Sequence, residues 1–288
     1  MTSGRANAPL VARRFDLPDG ATLPYVELGD PAGPPLLAIP GLSDGLAPVS
    51  DAHALAALRP PADAFAGFRI LWVSYREPLS SEPTTEQAAD DLSEFVRSVV
   101  GGPVAVYGHS MGGMTAQHLA ARHPDLVDRL VLIATVTWAD PGFARIIQRW
   151  ADLLANGRWR AFNREAFDVS FRGTRHAPLR RLLLALAKPP SAAAVERHLR
   201  LTRACLTHDA RSVLDRVEAP TLVVGGALDP LAPPASIDEL VGQLRQARRV
   251  VLPRAAHGLA EEHSRVHAAV VLDFLGAPPS GPVRVDPH

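Results

Sequence analysis

A serine between two glycines is the residue whose surroundings in this sequence point most directly to chemistry. Residues 104–107 form a short apolar run, as in a buried strand, and Gly108-His-Ser110-Met-Gly112 follows it. An Ala-rich helical pattern comes next, so the order is strand, sharp turn and helix. The glycines allow the strand to reverse into a helix within about one residue, which leaves the hydroxyl of Ser110 exposed. This pattern predicts a nucleophile.

A base and an acid in suitable positions follow later in the chain. A serine hydroxyl is a poor nucleophile until a base takes its proton, and that base needs a third group to orient it. Asp229 follows a predicted strand at 221–224, and His257 follows the last predicted strand at 250–252. Loops at the carboxyl ends of such strands line the crevice of a doubly wound sheet. The sequence therefore predicts a catalytic triad of Ser110, Asp229 and His257.

Each of these assignments has an alternative. Asp229 precedes a proline, as turn-forming aspartates often do, and a histidine in a loop is commonly a surface residue. Asp140 follows an earlier strand and is a substitute for the acid. We expect Asp209 to cap or anchor the end of a helical segment. We also expect His109 to point away from the serine, because neighbours on a tight turn diverge.

An oxyanion that forms on the substrate would need two fixed hydrogen-bond donors. The backbone N–H of Met111 is one candidate, because it opens the helix after the serine. The N–H of Leu42, in the loop after the predicted strand at 35–39, is the other. Pro40 has no N–H, and Gly41 allows the backbone to aim the next amide inward. The alternative for Leu42 is an ordinary apolar loop residue.

Apolar runs alternate with helical patterns along most of the chain. A hairpin turning at Asp19-Gly20 is predicted over 15–28, and further strands are predicted at 35–39, 68–75, 104–107, 130–134, 221–224 and 250–252. Helices are predicted at 51–58, after a capping box at 84–87, after the serine to about 123, and at 236–245 and 261–274. This alternation predicts an α/β fold with a doubly wound, mostly parallel eight-stranded sheet and helices on both faces.

The segment 137–217 interrupts this alternation with helical patterns and no convincing strand. Seven of the sixteen aromatic residues fall between Trp138 and Phe171. We interpret the segment as an inserted all-helical lid over the carboxyl ends of the strands, and we expect Trp138 and Phe143 to contact substrate. A small helical lid also needs a core of its own, so the aromatic residues are expected to serve both purposes.

The domain organisation follows from this insertion. Residues 1–136 and 218–276 are predicted to form the two parts of the core, and residues 137–217 the lid. The first few residues are predicted to form a flexible arm, and the Pro-rich segment 277–288 a flexible tail.

The composition excludes several other classes of protein. Thirty basic and thirty acidic side chains give zero net charge, so nucleic acid and anionic membrane surfaces are not expected partners. The single cysteine, Cys205, excludes an intramolecular disulfide and a cysteine-based zinc site. There is no apolar run of bilayer-crossing length and no apolar signal-peptide region. We expect a cytoplasmic protein with a small-molecule substrate, no metal and no cofactor, and we leave its oligomeric state open.

Several motifs together resemble the α/β-hydrolase superfamily, and in particular its lid-bearing bacterial esterase-like members. The resemblance runs from about residue 15 to 274. It is carried by Gly108-His-Ser-Met-Gly112, by the runs 123–132 and 219–225, and by His257-Gly258. Members usually have His-Gly in the first oxyanion loop, where this chain has Pro40-Gly41. They also have Asp-x-Arg-Gly-x-Gly after the fourth strand, where this chain has Ser74-Tyr-Arg-Glu-Pro78.

The resemblance implies a serine hydrolase that cleaves a carboxylic ester of a small or medium apolar substrate through an acyl-enzyme. Ser110 rather than aspartate at the elbow argues against a haloalkane dehalogenase or an epoxide hydrolase. The same triad also serves lactone, thioester, peptide and carbon–carbon bond hydrolysis and acyl transfer. A catalytically idle ligand receptor on the same fold is an alternative of another class, and nothing in the sequence favours a purely structural protein.

Overall fold

The computed structural model describes residues 11–49, 65–172 and 188–276. The described residues form one eight-stranded sheet with the strand order β1-β2-β4-β3-β5-β6-β7-β8. The strands are β1 (Arg13–Asp16), β2 (Thr22–Gly29), β3 (Pro35–Ile39), β4 (Arg69–Val73), β5 (Val104–His109), β6 (Val127–Ile133), β7 (Thr221–Gly226) and β8 (Ala247–Leu252). The pairs β1–β2 and β2–β4 are antiparallel, and all other neighbours are parallel.

Eight α-helices accompany the sheet in the described residues. They are α1 (Thr85–Phe95), α2 (Met111–Arg122), α3 (Pro141–Ala155), α4 (Trp159–Ser170), α5 (Ala192–Leu206), α6 (Pro234–Gln243), α7 (Leu259–Glu262) and α8 (Ser264–Leu275). A π-helical turn (Val96–Val100) extends α1, and a 3-10 turn (Leu42–Gly45) follows β3. The predicted capping box starts α1, since the hydroxyl of Thr84 accepts a hydrogen bond from the amide of Gln87 at 3.1 Å.

The core lies on both faces of the sheet, because successive residues of a strand point to opposite sides. In β3, Leu37 and Ile39 belong to one buried cluster, which also includes residues of α1, α2 and α6. Leu36 and Ala38 belong to the other, which α8 covers. The predicted doubly wound sheet with helices on both faces is therefore confirmed.

The helical segment between β6 and β7 leaves and rejoins the core at one place. The amide of Ala139 donates to the carbonyl of His208 at 3.0 Å, and the amide of Ala210 donates to the carbonyl of Thr137 at 2.9 Å. These bonds form an isolated bridge between Trp138 and Asp209. Helices α3, α4 and α5 lie between these two ends, so the described part of the segment is helical, as its sequence predicts.

Some predictions lie outside the described residues. These are the helix at 51–58, the arm at the first residues and the tail at 277–288. No helix in the described ranges has the length and apolar character needed to span a membrane.

Candidate active site

Ser110 occupies a strained turn between β5 and α2. Its φ of 54° and ψ of −118° lie in a region that side chains other than glycine rarely adopt. Its amide donates to the carbonyl of Ile133 at 2.8 Å, and its carbonyl accepts from the hydroxyl of Thr135 at 2.9 Å. Strand β6 and the residues after it therefore hold the turn in place.

The glycines around Ser110 are required by close backbone contacts. A β-carbon on Gly112 would lie 2.1 Å from the carbonyl oxygen of Ile39, and one on Gly108 would lie 2.5 Å from the carbonyl oxygen of Gly112. Any larger residue would separate α2 from the sheet, so the spacing of the motif follows from the packing of this helix against β3 and β5.

The structure brings Ser110, His257 and Asp229 into one hydrogen-bonded chain. The hydroxyl oxygen of Ser110 lies 2.9 Å from Nε2 of His257, and Nδ1 of His257 lies 2.9 Å from Oδ2 of Asp229. If Nδ1 carries the imidazole proton and donates a hydrogen bond to Asp229, Nε2 is free to accept the proton of Ser110. The arrangement can therefore activate the serine as a nucleophile.

Asp229 is buried and held in one orientation. Its Oδ1 accepts hydrogen bonds from the amides of Leu231 at 2.8 Å and Ala232 at 3.1 Å, which leaves Oδ2 for His257. Burial by itself would raise the pKa of Asp229, but His257 and the two amides outweigh it and hold the pKa below its ordinary value. The carboxylate is thus ionised at neutral pH.

The same pairing acts in the opposite direction on His257. Burial alone would lower its pKa, but the negative charge and hydrogen bond of Asp229 outweigh burial, so the pKa lies above the ordinary histidine value. Glu261 raises it further by its charge. A more basic imidazole accepts the serine proton more readily.

Asp140, the alternative candidate for the acid of the triad, lies at the start of a helix and not beside His257. Asp140 is the N-cap of α3, where Oδ1 accepts from the amides of Gly142 at 2.6 Å and Phe143 at 3.1 Å. Asp209 pairs with Arg211 at 2.6 Å, beside the bridge to Trp138 at the base of the helical segment. Neither carboxylate is hydrogen bonded to His257.

His109 has a position that the sequence did not reveal. Its ring centroid lies 5.5 Å from that of His257, and its Nε2 lies 3.3 Å from the carbonyl oxygen of His257. Burial lowers the pKa of His109, so the ring is neutral and can donate this hydrogen bond. The sequence did not predict this contact, because it joins residues that are 148 positions apart.

The two predicted oxyanion donors lie in elements that flank Ser110. A β-carbon on Gly41 would lie 3.2 Å from the β-carbon of Ser110, so the loop before Leu42 passes directly beside the serine. Met111 is the first residue of α2. Within the described ranges, neither the amide of Leu42 nor that of Met111 donates a hydrogen bond to the protein. Their role stays a prediction.

A cavity of about 370 Å³ opens beside Ser110 and His257. Its walls are mostly apolar and come largely from the helical segment. Phe143 lines this cavity, together with Ile147, Trp150, Trp159, Phe162 and Phe171. The segment also touches the loop of His257, because the amide of Gly258 donates to the carbonyl of Ser170 at 2.8 Å.

Trp138 requires a correction, because it does not line this cavity. Its indole N–H donates to Glu239 at 3.0 Å, and the guanidinium of Arg211 lies 4.2 Å from its ring centroid. These polar partners hold the ring at the base of the helical segment. Aromatic content alone did not distinguish Trp138 from Phe143, because it does not show which way a side chain faces.

The described residues contain no group of three or more His, Cys, Asp or Glu side chains that could hold a metal ion.

Comparisons with known proteins agree with this architecture. A family model for the alpha/beta hydrolase fold matches residues 34–264. The chain is 30% identical over 206 residues to a pimeloyl-(acyl-carrier protein) methyl ester esterase of Neisseria meningitidis serogroup A, a match that covers 69% of this chain and 64% of that protein. The chain thus spans less than two thirds of that relative. A Chromobacterium violaceum protein of the same name is 30% identical over 65% of this chain and 76% of its own length.

Solved structures show the same fold at lower identity. The enol-lactonase of Burkholderia xenovorans LB400 has a TM-score of 0.76 and 22% identity, over 92% of this chain and 100% of its own. MGS-M2, an alpha/beta hydrolase enzyme from a Medee basin deep-sea metagenome library, has a TM-score of 0.79 and 18% identity, over 94% and 99% of the two chains.

Proposed function

The chain belongs to the alpha/beta hydrolase fold family, and on this premise we propose that it hydrolyses a carboxylic ester through an acyl-enzyme on Ser110. The observation that carries the proposal is the hydrogen-bonded chain from Ser110 through His257 to Asp229. Support for an ester comes from relatives that are named as methyl ester esterases.

Acylation would begin with attack of the Ser110 oxygen on the ester carbonyl carbon. Nε2 of His257 takes the serine proton, and the carbonyl oxygen becomes an oxyanion that the amides of Met111 and Leu42 stabilise. The tetrahedral intermediate then breaks its bond to the alcohol oxygen, which receives the proton from Nε2. The alcohol leaves, and the acyl group stays on Ser110.

Deacylation repeats these steps with water as the nucleophile. Nε2 of His257 takes a proton from water, and the resulting hydroxide attacks the acyl carbon. The second intermediate breaks its bond to Ser110, which regains its proton from Nε2. Throughout, Asp229 holds the imidazole by Nδ1 and stabilises the imidazolium that forms in each step.

The shape of the cavity supports an apolar substrate. Its aromatic and aliphatic walls would bind a small or medium acyl or alcohol group by burying apolar surface. We propose that segment 137–217 acts as a lid that selects this group, since helices α3, α4 and α5 supply about half of the residues that line the cavity. A cytoplasmic location stays a prediction.

A substrate panel with a nucleophile variant tests this function. Methyl esters of apolar acids, lactones and thioesters of matched size are offered to the wild-type protein and to Ser110→Ala. We expect the methyl esters to be hydrolysed fastest, and Ser110→Ala to lose about 10⁶-fold in kcat. Faster turnover of lactones or thioesters would show that the protein prefers that class of substrate to simple esters. Equal ester turnover by both proteins would refute the mechanism.

A further inference from the structure

The loop that would supply the second oxyanion donor is held by a buried ion pair from the helical segment. In the 3-10 turn after β3, Asp44 is buried, and its Oδ2 accepts a hydrogen bond from Nη2 of Arg197 at 2.8 Å. Arg197 lies in α5. A β-carbon on Gly45 would lie 2.7 Å from the α-carbon of His198, so the turn also presses directly against the backbone of α5.

The core holds the same carboxylate from the other side. The hydroxyl of Ser74 donates to Oδ1 of Asp44, and the amide of Tyr75 donates to Oδ2 at 3.3 Å. Burial raises the pKa of Asp44, while Arg197 and these hydrogen bonds oppose that effect. Both carboxylate oxygens are thus occupied, as a buried charge requires.

The hydrogen bonds of Asp44 with Arg197, Ser74 and Tyr75 form a network. Further bonds of Arg197 and Tyr75 extend this network to both ends of the loop. Besides Asp44, Arg197 donates to the carbonyls of Tyr75 and Arg76, each at 3.0 Å. The phenol of Tyr75 donates to the carbonyl of Pro40 at 2.9 Å. The loop from Pro40 to Asp44 is therefore tied at its first residue by Tyr75 and at its last by Arg197.

This network occupies the two places where the sequence departs from the family pattern. Pro40 stands where members usually have a histidine, and Ser74, Tyr75 and Arg76 stand where they have the Asp-x-Arg-Gly-x-Gly run. The carbonyl of Pro40 and the side chains of Ser74 and Tyr75 are all members of the network. Side chains from the core and from α5 thus fix the loop in this chain.

We propose that Arg197, Asp44 and Tyr75 are positioning residues that hold the amide of Leu42 toward Ser110, so that the oxyanion site is complete only when α5 is docked on the core. The inference rests on the proposed function. It predicts that the network affects stabilisation of the oxyanion more than binding of the substrate, because none of these three residues lines the cavity.

The experiment compares Arg197→Gln with Arg200→Gln. Both arginines lie in α5, and Arg200 donates to the core carbonyls of Leu79 and Ser80 without reaching the loop. We expect Arg197→Gln to lower kcat by about 10- to 100-fold, because a displaced donor loses much of an oxyanion interaction. KM should stay within about threefold, and Arg200→Gln should stay within about twofold in both constants.

A tetrahedral analogue separates positioning from a merely structural role. A trifluoromethyl ketone forms an oxyanion on the serine, whereas the matching non-reacting alcohol does not. For Arg197→Gln the affinity for the ketone should fall by the same factor as kcat/KM, and that for the alcohol should be unchanged. Arg197→Lys keeps the charge but cannot reach Asp44 and both carbonyls together, so it should recover part of the loss.

A milder variant keeps the inference testable if Arg197→Gln does not fold, since breaking a buried pair is strongly destabilising. Tyr75→Phe removes the phenol that donates to Pro40 but leaves the Arg197–Asp44 pair in place, and we expect about a tenfold loss in kcat with a parallel loss of ketone affinity. Folded Arg197→Gln or Tyr75→Phe proteins with wild-type kcat and ketone affinity would overturn the inference. A wild-type protein without esterase activity would instead refute the proposed function.

Discussion

The two sides of the cavity are built in different ways. On the core side, the backbone is so closely packed that residue 112 must be glycine. A β-carbon on Gly112 would lie only 2.1 Å from the carbonyl oxygen of Ile39. On the helical side, the cavity wall consists of side chains such as Phe143 and Phe162. On the proposed function, the core would carry out the reaction, and the helices would select the substrate that reaches it.

The largest expected effect concerns the acid on the core side. Asp229→Asn should lower kcat by about 10⁴-fold, because the imidazole then adopts the wrong tautomer and the imidazolium loses its support. Asp140→Asn should cost less than about tenfold, since asparagine is also a good N-cap. Steady-state kinetics measure both, with thermal melting to check folding. A large loss for Asp140→Asn with a near-normal Asp229→Asn would assign the acid to the helical segment.

The next effect concerns the backbone contacts of the elbow. Gly112→Ala should destabilise the protein by about 3 kcal/mol or more, because the new methyl group overlaps the carbonyl oxygen of Ile39. Gly242, in α6, has open space around it, so Gly242→Ala should stabilise by about 0.5–1 kcal/mol. Denaturant unfolding measures both. Similar effects at the two glycines would show that the elbow is less constrained than these distances indicate.

Two aromatic residues test the helical side. Phe143→Ala should change the preference between short and long acyl chains by about tenfold, because it enlarges the cavity beside the serine. Trp138→Ala should leave that preference unchanged, since the indole faces Glu239 and Arg211 instead. Values of kcat/KM over a series of acyl lengths measure this preference. If only Trp138→Ala changed this preference, Trp138 rather than Phe143 would be the residue that contacts the acyl chain.

The smallest effect concerns pH. His257 must be neutral to take the serine proton, so kcat/KM should fall as the pH decreases through its pKa, which lies above the ordinary value of about 6.5. The charge of Glu261 raises this pKa, so Glu261→Gln should move the acidic limb to lower pH. Glu239→Gln, which lies beside Trp138, should not move it. A limb shifted to higher pH by Glu261→Gln would contradict the geometry.

The sequence predicted the sheet well because its strands are buried apolar runs bounded by turns. The strand predicted at 35–39 matches β3, and the hairpin at Asp19-Gly20 joins β1 to β2. The predicted strands at 68–75, 130–134 and 250–252 differ from β4, β6 and β8 by up to three residues at their ends. In β6 and β8 the missed residues include Asp128-Arg129 and Arg248-Arg249, which carry no apolar signal.

The candidate site was predictable where a residue follows a strand directly. Ser110 and His257 follow β5 and β8 at short distances, so local patterns were enough to select them. Asp44 and Arg197 are 153 residues apart, and no local pattern links them. The orientation of Trp138 was missed for the same reason, because it depends on Glu239 and Arg211 in distant parts of the chain.

The most direct test of the central claim is covalent trapping at Ser110. The wild-type protein is treated with a fluorophosphonate, digested and analysed by peptide mass spectrometry, with Ser110→Ala as the control. We expect one phosphonyl group on the peptide that contains Ser110 and none on Ser110→Ala, because only a serine activated by His257 reacts readily. No label on the wild-type protein, or equal labelling of another residue in both proteins, would contradict the assignment of Ser110 as the nucleophile.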